Sequence, residues 1–170
     1  PNLFVRGISS KNYNALRENT YKPLFNKAVQ GQYPPGSTFK MLTGMAAMRA
    51  GVIGPGETVY CPGHMTLGGR RFHCWKGGGH GKVDLVTSLK ESCDVYYYEL
   101  ALQVGIERIA DMARRLGLGQ DYNIGISGET KGIAPDEAWK EARLGAAWRM
   151  GDTLNASIGQ GFVLASPLQL

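Results

Sequence analysis

Apolar side chains recur every three or four residues in four segments of the chain, the spacing that places them on one face of a helix. The segment 38–50 has this pattern and ends at Gly51, a residue type that favours helix C-termini. The segment 95–105 ("VYYYELALQVG") is apolar on most sides and predicts a buried helix, whereas 106–117 ("IERIADMARRLG") is amphipathic. The segment 135–145 ("PDEAWKEARLG") begins with proline, which suits a first helical turn.

The remaining segments carry weaker patterns. We expect residues 1–36 to be irregular apart from one short helix near Asn12–Asn19. Asp84 is a preferred N-cap residue and predicts a further helix over "LVTSLKES". The segment 151–166, "GDTLNASIGQGFVLAS", is predicted to be a loop with a turn at Gly159–Gly161.

Residues 52–83 are rich in glycine and show no sustained periodicity. Two short pieces, "ETVY" (57–60) and "RRFHCW" (70–75), contain the β-branched and aromatic residues typical of strands. We expect these two pieces to pair as a short hairpin. The chain is therefore predicted to be mainly helical, with one small β-element.

Composition excludes several classes of protein. A chain of 170 residues with 43% hydrophobic and 19% charged residues fits one globular domain and is not typical of disorder. The net charge is +5, but the basic residues are scattered and form no recognition helix, so we expect no nucleic-acid partner. No apolar run approaches the roughly 18 residues of a membrane span.

Both ends of the chain have the character of interior sequence. At the C-terminus, Ser166 and Pro167 are typical of the cap and first position of a helix that has barely begun. We therefore expect this chain to be a piece of a longer protein.

The stretch "YPPGSTFK" sets two prolines and a glycine directly before Ser37-x-x-Lys40. Residues three apart at a helix start project from the same face, so the two side chains can meet. Lys40 would lie at the positive end of the helix dipole, which disfavours its cationic form and suits it to act as a general base for Ser37. Serine is also a preferred N-cap residue, so a simple helix cap is the alternative.

A second candidate group, Ser92-Cys93-Asp94, lies between two predicted helices, 55 residues after Ser37. A serine hydroxyl at such a junction can relay a proton to a neighbouring lysine, and the carboxylate can orient substrate. The order Ser-x-x-Lys, a glycine-rich excursion, then Ser-x-Asp before an aromatic-rich helix is far more specific than either motif alone.

With these motifs the chain resembles the transpeptidase domain of class B penicillin-binding proteins, and most of all their penicillin-binding protein 2 subfamily of the rod-elongation machinery. The resemblance covers nearly the whole chain. The stretches that carry it are "YPPGSTFK", "GHG", "SLKESCDVYYYELA", "GIERIADMARRLGLG" and "NASIGQGFVLASPLQL".

The resemblance implies a serine D,D-transpeptidase that cross-links peptidoglycan stem peptides ending in D-Ala-D-Ala and is acylated by β-lactams. Ser37 would be the nucleophile, Lys40 its base, and Ser92 with Asp94 the second motif. Expected partners are a membrane glycosyltransferase and scaffold proteins of the elongation complex. The implied location is the periplasm, in a protein anchored to the inner membrane by a helix outside this chain.

Two departures from the family pattern stand out. Position 94 is Asp where many relatives carry Asn, and neither Lys-Thr-Gly nor Lys-Ser-Gly occurs in the chain. In the family that third motif lies on a downstream strand. We therefore expect residues 1–170 to be the helical part of an α/β transpeptidase domain, with the central sheet largely absent and little activity when isolated.

Three cysteines and a histidine follow the spacing Cys61-x12-Cys74-x5-His80-x12-Cys93. Three thiolates and one imidazole are a favoured set for structural zinc, and glycines around His80 free the backbone to bend round a centre. A disulfide with one free thiol, or three unrelated buried thiols, are the alternatives. His64 and His73 are weaker candidates as ligands.

Two other functions remain open at this point. The same fold could serve a β-lactam-acylated sensor or hydrolase, although no deacylating glutamate can be identified. A non-catalytic, zinc-stabilised binding module is the alternative from a different class.

Overall fold

The computed structural model describes residues 2–54 and 56–170. Within these two ranges the chain forms eight α-helices, four short strands and three 3-10 turns, which agrees with the mainly helical prediction. The helices are α1 (Ser10–Arg17), α2 (Lys27–Gln30), α3 (Lys40–Arg49), α4 (Leu85–Lys90), α5 (Asp94–Val104), α6 (Ile106–Arg115), α7 (Glu137–Leu144) and α8 (Met150–Ser157); the strands are β1 (Val59–Cys61), β2 (His64–Leu67), β3 (Arg70–His73) and β4 (Gly81–Val83); and the turns are Asn2–Phe4, Gly36–Phe39 and Pro167–Gln169.

Helix α5 is the centre of the core. It packs against α3 on one side and α8 on another, and α6 packs against both α3 and α8. Tyr96, Tyr97 and Leu100 of α5 are fully buried, as the apolar character of this segment predicts. Burying an apolar side chain of this size contributes about 1.5–3 kcal/mol, so α5 is the main support on which the other helices are fixed.

The predicted pairing of "ETVY" with "RRFHCW" is wrong. Strand β3 pairs with β2 in an antiparallel hairpin, and β1 pairs with β4, with Val59 opposite Val83. Gly68 and Gly69, between β2 and β3, both have positive φ (55° and 78°), as the two-residue turns that match strand twist require. This tight glycine turn pairs β3 with its immediate neighbour and leaves β1 for β4.

The prediction of a loop over 151–166 is also wrong in its first half, where α8 forms. Gly151, Thr153 and Asn155 are weak helix formers, so local propensity gives little signal. Packing supplies the missing stability, because Leu154 is fully buried and α8 packs against α5. The turn at Gly159–Gly161 is present, and both glycines have φ of 69°.

Several predicted helix ends are confirmed. Asp84 caps α4, accepting a hydrogen bond from the Thr87 backbone N–H at 2.7 Å, and this bond lowers the pKa of Asp84. Ser166 caps the turn Pro167–Gln169, and the Gln169 side chain reaches back to the Ser166 backbone N–H. Among the residues described, no helix has both the length and the apolar character needed to cross a bilayer.

Candidate active site

Ser37 lies in the 3-10 turn directly before α3. Its neighbour Gly36 has a positive φ of 58°, and the Gly36 N–H donates to the carbonyl oxygen of Gly159 at 2.9 Å. Neither the turn nor α3 has a side-chain cap, so the Ser37 hydroxyl is not used as an N-cap. The prolines and Gly36 thus set the backbone direction at the helix start and leave the Ser37 hydroxyl for other contacts.

Lys40 is buried, with only 1% of its side chain exposed. Its Nζ donates to the carbonyl oxygen of Ser92 (2.9 Å), to Ser92 Oγ (3.0 Å) and to Asp94 Oδ1 (2.7 Å). A buried ammonium group is costly unless it is paired and fully hydrogen-bonded, and here all three donors have acceptors. Lys40 is therefore held in one orientation by the Ser92–Asp94 segment.

Ser92 connects the lysine to Ser37. Its Oγ donates to Ser37 Oγ at 2.9 Å and accepts from Lys40 Nζ, which forms a continuous chain of hydrogen bonds. Ser92 has a φ of 51°, an uncommon left-handed conformation for a residue other than glycine. Such strain costs of order 1–3 kcal/mol and persists where the surrounding structure fixes it, often at functional sites.

Asp94 is the first residue of α5 and uses both carboxylate oxygens on protein groups. Oδ1 accepts from Lys40, and Oδ2 accepts the backbone N–H of Trp75 at 3.0 Å. An asparagine at this position would lack the negative charge that pairs with Lys40. The carboxylate therefore pairs with the lysine directly, a contact that the sequence analysis did not predict, since it assigned this group to orienting substrate.

An open cleft of about 370 Å³ lies over these groups. It is lined by Ser37, Thr38, Lys40, Met41, Leu89 and Ser92. A substrate carbonyl placed in this cleft can reach the Ser37 hydroxyl. Two hydrogen bonds, through Ser92, connect that hydroxyl to Lys40. The arrangement places two serine hydroxyls and a lysine amine in the geometry that a nucleophile, a relay and a base would need for acyl transfer.

Cys61, Cys74, His80 and Cys93 converge beside the second motif, with their ligand atoms all within 4.8 Å of one another. Cys61 ends β1, Cys74 follows β3, His80 precedes β4, and Cys93 joins α4 to α5. The three cysteines are buried free thiols, and burial raises the pKa of the Cys93 thiol. His64 and His73 lie outside this cluster, facing each other across the β2–β3 hairpin.

The spacing within this cluster fits a tetrahedral zinc ion. With Zn–S about 2.3 Å and Zn–N about 2.0–2.1 Å, a tetrahedral site separates sulfur from nitrogen by about 3.6 Å. His80 Nδ1 lies 3.5 Å from Cys74 Sγ and 3.7 Å from Cys61 Sγ. The donor set and these separations match what a closed tetrahedral site requires, and Nδ1 is the ring nitrogen that lies nearest the two sulfur atoms.

Sequence reasoning missed the role of Gly159. A Cβ at this position would overlap the backbone of Gly36, so only glycine allows the two segments to approach and form their hydrogen bond. The "GQG" sequence signalled a turn but not its contact with the residue before Ser37. Gly159 therefore helps to position the candidate nucleophile from the far end of the chain.

Comparison with known proteins agrees with this geometry. Residues 5–170 match the family model described as penicillin binding protein transpeptidase domain. The chain is 41% identical over 172 residues to the peptidoglycan D,D-transpeptidase MrdA of Acinetobacter baumannii, covering 100% of this chain and 26% of that protein. The chain thus spans about a quarter of the length of this relative.

Solved structures give the same result. Pseudomonas aeruginosa PBP2 in complex with WCK 5153 superposes with a TM-score of 0.92 at 39% identity, over 99% of this chain and 37% of that one. PBP2 from Helicobacter pylori, in a complex with MreC, gives 0.91 at 38% identity over 96% and 31%. A peptidoglycan synthase complex that coordinates polymerization and crosslinking gives 0.88 at 36% identity over 99% and 29%. The chain belongs to the penicillin-binding protein transpeptidase family and is similar to its PBP2 members.

Proposed function

We propose that this chain is the nucleophile-bearing, helical part of a peptidoglycan D,D-transpeptidase that cross-links stem peptides through a serine acyl-enzyme. The observation that carries the proposal is the chain of hydrogen bonds from Ser37 through Ser92 to Lys40. The relatives named above supply the substrate class, because MrdA is a peptidoglycan D,D-transpeptidase. The region beyond these residues would supply the central sheet and the Lys-Thr-Gly strand.

In the proposed acylation step, Ser37 Oγ attacks the carbonyl carbon between the two D-alanines of a stem peptide. The Ser37 proton moves to Ser92 Oγ while the Ser92 proton moves to Lys40, which must be neutral to accept it. The C–N bond then breaks, and the leaving D-alanine takes up the proton through the same chain in reverse. In the structure Lys40 donates to Ser92, and Ser92 donates to Ser37. These hydrogen bonds point in the direction in which the proton would return from Lys40 to the leaving group.

In the second step, an amine of a neighbouring stem peptide attacks the ester carbonyl. The amine loses its proton to the Lys40–Ser92 pair, and Ser37 leaves as a protonated hydroxyl. A β-lactam would react with Ser37 in the same way, but its leaving nitrogen stays tethered to the acyl group. This accounts for covalent inhibition without any additional residue.

The backbone N–H of Ser37 is the proposed donor to the oxyanion within these residues, and the second donor would come from the Lys-Thr-Gly strand. Loss of one such donor typically reduces the rate by about 10²- to 10³-fold. We therefore expect isolated residues 1–170 to acylate at least about 100-fold more slowly than the full-length protein. Stopped-flow measurement with a fluorescent penicillin checks this, and equal rates would show that the missing strand is dispensable.

Partners and location are proposed by analogy with the relatives. The Helicobacter pylori PBP2 structure contains MreC, and another neighbour is part of a complex that coordinates polymerization and crosslinking. We propose corresponding partners here, namely a scaffold protein of the elongation complex and a membrane glycosyltransferase. The domain would then act in the periplasm, tethered to the inner membrane by a segment outside these residues.

We also propose that Cys61, Cys74, His80 and Cys93 hold a structural zinc ion. Support comes from the donor set, its burial and the separations around His80 Nδ1. Four protein ligands would complete the tetrahedral shell, so the ion would cross-link the β-strands to the second motif and activate no water. The ion takes no part in the acylation and transfer steps described above.

Product analysis separates the proposed function from its alternatives. We expect the full-length protein, given peptidoglycan strands with pentapeptide stems, to release D-alanine and form cross-linked dimers, as resolved by mass spectrometry. A sensor or hydrolase would yield no dimers, and a non-catalytic module would yield no D-alanine either. Absence of dimers in the presence of its glycosyltransferase partner would contradict the proposal.

A further inference from the structure

We infer that Trp75 is a positioning residue for the Lys40–Ser92–Ser37 chain, and that it acts by holding both sides of the second motif through its two N–H groups. The inference rests on the proposed function, because it concerns the rate of Ser37 acylation. Trp75 lies in the short segment between β3 and β4, outside the cleft-lining residues.

The first contact is made by the backbone. The Trp75 N–H donates to Asp94 Oδ2 at 3.0 Å, while Oδ1 of the same carboxylate accepts from Lys40 at 2.7 Å. The carboxylate thus bridges a backbone donor and the lysine, which fixes the plane of the Asp94 side chain. Lys40 is oriented by a carboxylate that is itself oriented by Trp75.

The second contact is made by the indole. Its Nε1–H donates to the carbonyl oxygen of Glu91 at 2.9 Å. Glu91 is the C-terminal cap residue of α4, where carbonyl groups lack partners within the helix. The next residue is Ser92, whose φ of 51° requires support from its surroundings. The indole therefore anchors the peptide group that enters the strained serine.

Burial does not explain the presence of a tryptophan here. The residue is 64% exposed, although its ring lies edge-on to His80 with 5.4 Å between ring centroids. A residue whose role was to fill the core would bury this large apolar ring. What Trp75 offers at this place is a rigid donor that reaches from the cysteine cluster to the end of α4.

The proposed consequence is kinetic. Without the indole hydrogen bond, the Glu91 peptide and Ser92 can shift, and Ser92 Oγ loses its position between Ser37 and Lys40. Proton relay depends on heavy-atom distances of about 2.6–3.2 Å, so small displacements lower the acylation rate without altering the cleft walls. We expect the effect on the chemical step to exceed the effect on ligand binding.

The test compares Trp75→Phe with a matched variant in the full-length protein. Trp75→Phe keeps an aromatic ring and removes only the indole donor. Trp148→Phe removes a comparable indole hydrogen bond, from Nε1 to Thr153 Oγ1 at 2.8 Å, in the α7–α8 region. For each variant, stopped-flow acylation by a chromogenic β-lactam gives the limiting rate and the half-saturating concentration; the melting temperature and zinc content are also measured.

We expect Trp75→Phe to lower the limiting acylation rate about five- to ten-fold, the size expected for one lost hydrogen bond, with an unchanged half-saturating concentration. Trp148→Phe should acylate at the wild-type rate. In Trp75→His the imidazole Nε2–H can take the place of the indole N–H. Both nitrogens belong to a five-membered ring attached through Cγ, and each is two bonds away from Cγ. We expect this variant to recover most of the lost rate.

Three results would overturn the inference: an unchanged limiting rate in Trp75→Phe, a Trp75→His rate no higher than that of Trp75→Phe, or a rate loss matched by loss of zinc. The last would assign the effect to the metal cluster. If the wild-type protein and Trp148→Phe both fail to acylate, the proposed function fails instead, so the two failures are distinguishable.

Discussion

Replacement of Ser37 by alanine is expected to abolish covalent labelling of the full-length protein by a fluorescent penicillin. Among the described residues, Ser37 has the only hydroxyl that is hydrogen-bonded to Ser92. Ser92 is in turn hydrogen-bonded to Lys40. Without this hydroxyl no acyl-enzyme can form at the site. Intact-mass spectrometry after incubation with penicillin should therefore find one adduct on the wild-type protein and none on Ser37→Ala.

Removal of the base should have a smaller but still large effect. We expect Lys40→Met to lower the acylation rate by at least about 10²-fold, the lower range for loss of a general base. This variant also leaves the Asp94 carboxylate, only 14% exposed, without its cationic partner. Breaking a buried ion pair by removing one side costs about 3–5 kcal/mol, so Lys40→Met alone would also lose stability.

Two further variants separate the lost base from the lost stability. Adding Asp94→Asn to Lys40→Met removes the unpaired charge and should restore much of the melting temperature, yet acylation should stay slow. Lys140→Met breaks a second buried lysine pair, with Asp152 at 2.6 Å, far from Ser37 in sequence. It should destabilise the protein while leaving labelling intact below its melting temperature.

Labelling of Ser37→Ala at the wild-type level would contradict the assignment of the nucleophile.

The two candidate catalytic motifs could be identified from the sequence because each is local. Ser37-x-x-Lys40 lies at one helix start and Ser92-Cys93-Asp94 at another, so capping rules place each set of side chains. Their contact depends on the packing of α3 against α5, which spacing alone does not reveal. What no pattern predicted was the polarity of the hydrogen bonds or the left-handed conformation of Ser92, because both result from tertiary contacts.

The failures have two physical origins, namely contacts between distant residues and one local turn that was not recognised. Helix α8 contains weak helix formers and exists because Leu154 is buried, a long-range effect that local propensity does not record. The wrong strand pairing has the local origin: the two-residue Gly68-Gly69 turn joins β2 to β3, so β3 does not pair with the strand that contains "ETVY" residues. The contact of Gly159 with Gly36 joins residues more than 100 positions apart, and glycine signals only a turn.

Replacement of Cys61 by serine is expected to lower zinc content and melting temperature together. The wild-type full-length protein, purified without chelator, should contain close to one zinc ion per chain by elemental analysis. Cys61 ends β1, whereas Cys93 lies inside the second motif, so the ion would join segments 32 residues apart. Because metal binding is coupled to folding, losing this cross-link should lower the melting temperature by roughly 2–4 °C for each kcal/mol of stability lost.

A neighbouring histidine provides the control. His64→Ala removes an imidazole from the β2–β3 hairpin, outside the cluster, and should retain full zinc content. Cys61→Ser should slow acylation only because the Ser92–Asp94 segment loosens. Its acylation rate should therefore recover at lower temperature, whereas the rate of Lys40→Met should not.

Thiol titration under denaturing conditions decides between zinc and a disulfide. Three thiols that react at once after chelation, with one zinc released per chain, are the expected result for three thiolate ligands. Zinc well below one per chain, with two thiols unreactive until a reductant is added, would instead assign a disulfide to this cluster. In that case a covalent bond between two of the three cysteines, rather than a shared ion, would tie these segments together.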